Sequence, residues 1–246
     1  MPSVEEEDAC RSHRERQRLI RERTAHINRI KRLLFAQGIR GIDPSLRSRR
    51  IDFAALRTPE GLPIAPRLRQ ELEREYARLD LVEHQLRAVE GERDVADAQD
   101  PAIERKREML MRVRGIGAAS AAILSRELFI RSFANRRQLG SYLGLTPSPY
   151  DSGATTRCQG ISKAGNSFAR RVLIELAWLW RLYQSESPLA RWYEARAKGQ
   201  SPRIRRIMLV ALARKLGIAL WRYVETGLVP DGMVVAKDND RAAQAA

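Results

Sequence analysis

Cysteine and histidine are scarce in this sequence: two of the first, Cys10 and Cys158, and three of the second. Neither cysteine belongs to a closely spaced pair, so there is no zinc framework and little basis for a disulfide one, which fits a reducing compartment. No apolar run approaches the roughly 18 residues that a membrane span needs. The start, Met1-Pro-Ser-Val followed by Glu5, Glu6, Glu7 and Asp8, lacks the basic stretch and apolar core of a secretory signal. These absences lead us to expect a cytoplasmic chain with no membrane partner. Acidic residues are also in short supply: 30 Asp and Glu stand against 45 Lys and Arg, a net charge of +15. Such an excess concentrates phosphates near the surface and gains counterion-release affinity, so a polyanion is its natural partner. A solvated basic surface is the plainer alternative. Hydrophobic residues fill 43% of the 246 positions, enough for one or two packed domains and too many for a chain disordered throughout.

Proline and glycine are missing from Glu5 to Gln37, where Arg and Glu crowd the sequence and Ile20, Ile27, Ile30 and Leu34 recur at helical spacing. Gly38 ends that helix. Gly41, Pro44, Pro59, Gly61 and Pro63 then break any regular element, so the stretch up to Pro66 reads as a connector. Beyond it Leu68, Leu72, Leu79, Val82, Leu86 and Val89 follow the steps of a coiled-coil seam, interrupted once by Glu75. We therefore expect residues 1–100 to form a long antiparallel coiled-coil arm, closed within the chain or against a second copy in a homo-oligomer.

The pattern restarts at Asp100-Pro101. Residues 101–230 are expected to form a helical C-terminal domain, and 231–246 a frayed tail, so the fold class is mainly α. A helix from Pro101 to about Val113, the turn Arg114-Gly115-Ile116-Gly117 and an alanine-rich segment from Ala118 to Leu128 have the outline of a helix-hairpin-helix element. Gly115 and Gly117 could let backbone N–H groups approach a phosphate there; a tight turn between packed helices is the plainer reading. Two later helices, Asn166 to about Tyr183 and Pro202 to Glu225, have broad apolar sides. Leu173, Leu176, Ala177 and Trp180 mark the first, and Ile207, Leu209, Leu212, Leu216 and Leu220 the second. All four tryptophans lie in this half, and at helical spacing they read as core or interface residues.

Between these helical regions, Gly144 to Gly165 is rich in Gly, Pro, Ser and Thr and reads as a long polar loop, a type uncommon in a compact domain unless it has a function. It contains Ser152-Gly153 and ends in Ser162-Lys163-Ala164-Gly165-Asn166. A serine that attacks a phosphodiester needs an accessible hydroxyl, nearby cations and a way to lose its proton. Arg157, Lys163, Arg170 and Arg171 could supply the cations, and Lys163, Asn166, Arg170 and Arg171 could equally hold a backbone phosphate with no reaction at all. As a turn residue Ser152, and as a helix N-cap Ser162, would need no chemistry.

The ordered motifs Val113-Arg-Gly-Ile-Gly-Ala-Ala-Ser-Ala-Ala-Ile-Leu, Phe133, Leu143-Gly-Leu-Thr-Pro, Tyr150-Asp-Ser-Gly, Gly160-Ile-Ser-Lys-Ala-Gly-Asn and Arg170 resemble the C-terminal transposase domain of the DEDD-type insertion-sequence transposases, relatives of the Piv and MooV DNA invertases. The Arg/Glu-rich stretch through Arg21-Glu-Arg-Thr and Asn28-Arg-Ile-Lys resembles that family's long linking helix. The resemblance implies DNA as partner, a structured guide RNA in some members, and a serine that forms a covalent link to DNA. That serine maps most naturally to Ser152, with Ser162 as second choice. It also implies a RuvC-like fold before this region whose acidic residues hold magnesium. No strand-helix segment of that kind occurs in this sequence, so we expect a chain cut short or started downstream, with no cofactor of its own and magnesium only where another polypeptide supplies the acidic residues. Glu5 to Asp8 cannot replace them, because consecutive residues splay around a helix axis. The alternatives to a recombinase are a non-catalytic DNA- or RNA-binding remnant and a coiled-coil modulator of full-length copies.

Overall fold

Alternating apolar and charged turns make two long helices that pair side by side. In the computed structural model, which describes residues 4–46, 51–152 and 155–235, a short α1 (Val4–Ala9) leads into α2 (Arg11–Ala36), and α3 (Pro66–Ala98) runs back antiparallel to α2. The direction follows from the ion pairs. Arg16 reaches Glu90 at 2.6 Å, Arg23 reaches Glu83 at 3.1 Å, and His26 and Arg29 reach Glu75 at 2.7 and 3.0 Å, so partners on α3 fall in number as those on α2 rise. Ile30, Leu34, Leu72 and Leu79 are buried between the helices. Leu19, which the apolar spacing did not single out, is buried in place of its half-buried neighbour Ile20.

The connector does more than break regular structure. Phe53 and Ile64 from it are buried in the same core, and Phe53 meets Tyr76 edge-on at 5.6 Å. Glu75, the interruption in the α3 seam, is the residue the packing turns on: it is 2% exposed, with His26, Arg29 and Arg78 around its carboxylate. Burial alone would push this carboxyl up, but hydrogen bonds from His26, Arg29 and Arg78 and the Arg29 charge outweigh it and hold the group below the ordinary glutamate range. A buried charge so placed is costly if any partner is removed.

The chain divides into two compact units, 1–96 and 97–246. In the second, side-chain caps set most helix starts. Asp100 accepts from the N–H groups of Ala102 and Ile103 to begin α4 (Pro101–Met111), with Pro101 in the first turn where its missing N–H costs nothing. Next come α5 (Ala118–Glu127) and α6 (Arg136–Tyr142), the latter capped by Asn135. Asn166, Ser187 and Ser201 cap α7 (Ser167–Tyr183), α8 (Pro188–Ala197) and α9 (Pro202–Thr226). Helices α7 and α9 pack along each other, burying Leu173, Leu176, Ala177 and Trp180 against Leu212, Ala213, Leu216 and Leu220.

Four expectations change. The segment from Gly144 to Gly165 is not an irregular loop: β1 (Pro147–Ser152) and β2 (Thr155–Ile161) pair antiparallel, with Ser152 opposite Thr155 and Pro147 opposite Ile161. Its threonines and the single isoleucine suit a hairpin, but Pro147, Pro149 and Gly160 hid the pattern. Ile207 is 48% exposed and does not belong to the core. Trp178 is 52% exposed, whereas Trp180 is buried. The tail is packed as far as Val235, which bridges Val113, while Gln184 donates to the carbonyls of Arg114 and Val234 and accepts from the Val234 N–H.

The pairing of Glu75 generates a pH prediction. Its carboxyl is held low in the folded arm, so its contribution is complete above the unfolded glutamate range and is lost as pH falls below it. All four tryptophans lie in the second unit, so circular dichroism reports both units and tryptophan fluorescence the second alone. Acidification below the glutamate range should lower the arm's melting temperature seen by circular dichroism, and Glu75→Gln should flatten that dependence.

Candidate nucleic-acid interface

The hairpin stands on a crossing of two backbones. The chain leaves α6 through Leu143 and Gly144, makes the hairpin, and returns through Lys163 to Asn166 alongside the strand it left. Ser162 N–H donates to Thr146 O at 2.9 Å, Lys163 N–H to Gly144 O at 3.1 Å, and Asn166 N–H to Tyr142 O at 2.8 Å. The approach is too close for side chains. Gly144 has φ +62°, and a Cβ there would lie 1.9 Å from the Ala164 carbonyl oxygen; Gly165 has φ +87°, and a Cβ there would lie 2.2 Å from the Tyr142 carbonyl oxygen.

Polar side chains lock this crossing. The Asn166 carbonyl oxygen accepts from the N–H groups of Phe168 and Ala169, which caps α7, and its amide donates to Glu127 Oε2 at 2.7 Å and to the Tyr142 hydroxyl at 3.1 Å. Arg170 Nη1 donates to the carbonyls of Leu143 and Lys163 at 3.0 and 3.1 Å, one from each passing strand. Lys163 is the one described non-glycine residue with positive φ, at 56°. Such a backbone costs on the order of 1 kcal/mol and persists where its surroundings hold it.

The sequence-expected site residues separate into groups. Lys163, Asn166 and Arg170 meet at the crossing, but Asn166 and Arg170 spend their polar atoms on the fold. Arg171 lies with its guanidinium 5.1 Å from the centre of the Phe168 ring and 3.8 Å from Glu175. Ser162 is exposed, its hydroxyl 3.5 Å from that of Thr146; it does not cap the following helix, a role that falls to Asn166. Ser152 ends β1, and Arg157 pairs in register with Tyr150. The side chains of Ser152 and Arg157 lie outside the described residues, as do residues 153–154. Gly115 and Gly117 sit at the α4–α5 turn. Gly115 has φ +96° and faces Tyr183, whereas the space beyond the Gly117 Cα is open. Tyr183 ends α7 and Asn166 begins it, so this turn and the crossing flank opposite ends of a helix roughly 25 Å long.

A feature that the sequence reading missed lies beside the hairpin foot. A groove of about 830 Å³ opens between the start of α6, the foot of the hairpin and one face of α9. Among the described residues, Arg136, Arg137, Lys163, Arg206, Arg214 and Lys215 contribute the polar side chains of its lining. Its floor includes Ile207, Val210 and Ile218. The signal was present in α9, where Ile207, Val210, Arg214 and Ile218 recur at three- and four-residue steps on a second face beside the core stripe.

A cationic groove and a two-stranded hairpin on a helical domain characterise the second unit. Residues 107–194 match the model of the family described as Transposase IS116/IS110/IS902. The chain is 43% identical over 248 residues to "Putative transposase y4rJ" of Sinorhizobium fredii, covering 96% of this chain and 62% of the relative. It is 29% identical over 236 residues to the transposase for insertion sequence element IS1328 of Yersinia enterocolitica, covering 93% and 66%. A third relative, the transposase for IS1111A of Coxiella burnetii, is 28% identical over 174 residues, covering 70% and 46%. The chain spans just under two thirds of the length of the first two relatives.

Two substitutions test the crossing. Gly144→Ala should destabilise the second unit by about 3 kcal/mol or more, because neither strand can yield without breaking the other's hydrogen bonds. Asn166→Ala should cost about 1–2 kcal/mol through the lost cap, and more for the donor removed from Glu127. Tryptophan-monitored urea melts measure both. A second unit as stable with alanine at 144 as with glycine would contradict the close approach.

Proposed function

We propose that this chain acts in DNA transposition, as the part of an insertion-sequence recombinase that grips DNA and attacks it with Ser152. What supports the reading most is that the family match over residues 107–194 encloses the hairpin, and that Ser152 is the last residue of its first strand, away from the hairpin foot. A hairpin end can reach into a partner as a core residue cannot. Ser162, the second candidate, lies at the hairpin foot.

The chemistry is a transesterification. The Ser152 Oγ–phosphorus bond forms as one phosphorus–oxygen ester bond of the strand breaks; the serine proton goes to solvent or a neighbouring base, and the departing oxygen takes one up. Attack by a hydroxyl of a second strand reverses the exchange, so no oxidant or reductant is needed. A cation from Arg157, on the strand facing Ser152, would offset charge gathering on the phosphate. Magnesium is a different matter. Among the described residues no three carboxylate, histidine or cysteine side chains come together as a metal site, and no step here passes through a metal. The arm is the part we assign to assembly with a second copy, and a structured RNA is a further partner that the family resemblance suggests. No described helix is long and apolar enough to cross a membrane, and we place the reaction in the bacterial cytoplasm, where the DNA is.

In a strand-joining reaction reconstituted with the remaining transposase functions, Ser152→Ala should abolish the covalent protein–DNA species on a denaturing gel while leaving DNA affinity unchanged. Ser162→Ala should retain it. Loss only with Ser162→Ala would move the nucleophile to the hairpin foot. Joining that survives both substitutions would leave the chain a binding protein.

A further inference from the structure

The groove beside the hairpin foot has a chemistry that the fold does not require. Its six cations, Arg136, Arg137, Lys163, Arg206, Arg214 and Lys215, form no ion pair with a carboxylate among the described residues. Lys215 lies 4.7 Å from the Trp192 ring centre, and Arg214 rests where α6 comes close at Gly140. Like charges gathered around one hollow repel one another and oppose folding unless a polyanion offsets them. The floor is the opposite in character: Ile207 is 48% exposed, with Val210 and Ile218 half-buried beside it.

A cationic rim over an aliphatic floor suits a ligand with an anionic edge and an apolar face. A nucleic-acid strand with unpaired bases has both, since its phosphates run along one side and its bases are free to lie on apolar surface. Duplex DNA hides its base faces in the stack and would leave the floor wet. The groove's size, about 830 Å³, is that of a site for a small group of atoms rather than for a double helix. Among the described residues the lining contains no Asp, Glu, Asn, Gln, Ser or Thr, so the proton of a ribose 2′-hydroxyl would meet no acceptor among those side chains.

We propose that this groove holds an unpaired DNA strand, its phosphates on the cationic rim and its bases on Ile207, Val210 and Ile218. The inference deepens the recombinase reading and rests on it for DNA as the partner. It adds the strand state that the domain takes and the surface that takes it. The Gly115–Gly117 turn, at the other end of α7, has no part in it.

The test uses the whole chain and a short dye-labelled DNA oligonucleotide of mixed sequence, followed by fluorescence anisotropy across a salt series. A hairpin duplex and an RNA of the same sequence are the comparison probes. Arg21, Arg32, Arg136, Arg206 and Ile207 are exposed, and melts matching the parent's establish that each variant folds. The single strand should bind more tightly than the duplex or the RNA. Removing two rim cations in the Arg136→Gln, Arg206→Gln double variant should weaken binding about tenfold and reduce the salt slope by about 1.4, two contacts' worth for a single strand. Ile207→Asp should weaken the single strand and leave the duplex unchanged. The same charge loss on the arm, Arg21→Gln with Arg32→Gln, should change nothing. Equal weakening by the arm pair, tighter binding of duplex or RNA, or a harmless Ile207→Asp would overturn the proposal. Because the readout is binding, failure of the serine assignment in the joining assay would leave this result standing, and the reverse holds too.

Discussion

The second unit depends on one constraint: two backbone stretches, around Gly144 and Gly165, pass so closely that neither position can carry a Cβ. That contact returns the hairpin to its starting point, sets Asn166 where it caps α7, and brings Arg170 within reach of a carbonyl on each strand. It also holds Lys163 in a left-handed conformation at the edge of the groove. The hairpin is therefore clamped at its foot. Residues that carry charge or amides near a site are easily taken for ligand contacts, but here Asn166 and Arg170 keep the site in shape instead.

Helix α9 links packing to surface chemistry. One of its faces, through Leu212, Ala213, Leu216 and Leu220, completes the core with α7, a burial worth about 1.5–3 kcal/mol for each large side chain. The adjoining face, through Ile207, Val210 and Ile218, is apolar without being covered. The rigid core face thus fixes the angle at which the groove face and its arginines are presented. In the arm the same economy appears with the opposite sign. Glu75 is a buried charge in an apolar seam, and three basic side chains around it select one alignment of α2 against α3.

Much of the helical plan could be read from the sequence because it rests on local signals. Asp100-Pro101, Ser187-Pro188 and Ser201-Pro202 are cap-plus-proline starts, and the apolar steps of α2, α3 and α7 give their buried faces directly. The hairpin was not legible, since Pro147, Pro149 and Gly160 contradict strand propensity while cross-strand pairing, a non-local effect, overrides it. The groove escaped for a related reason: its rim draws on α6, the hairpin foot and α9, separated by some seventy positions from Arg136 to Arg206, and only the fold brings them together. Of the candidate site residues whose side chains are described, Lys163 lines the groove. Ile207 was assigned to the core because a helical apolar pattern does not say which of two faces is covered.

The central claim is that DNA meets this domain on the surface made by the hairpin and the α9 groove. Photocrosslinking of bromodeoxyuridine-substituted single strands, followed by mass-spectrometric mapping of the modified peptides, tests it most directly. The account predicts adducts in 147–163 and in 203–218, with the arm and the 114–118 turn unmodified. Adducts concentrated on the arm or on that turn would contradict it.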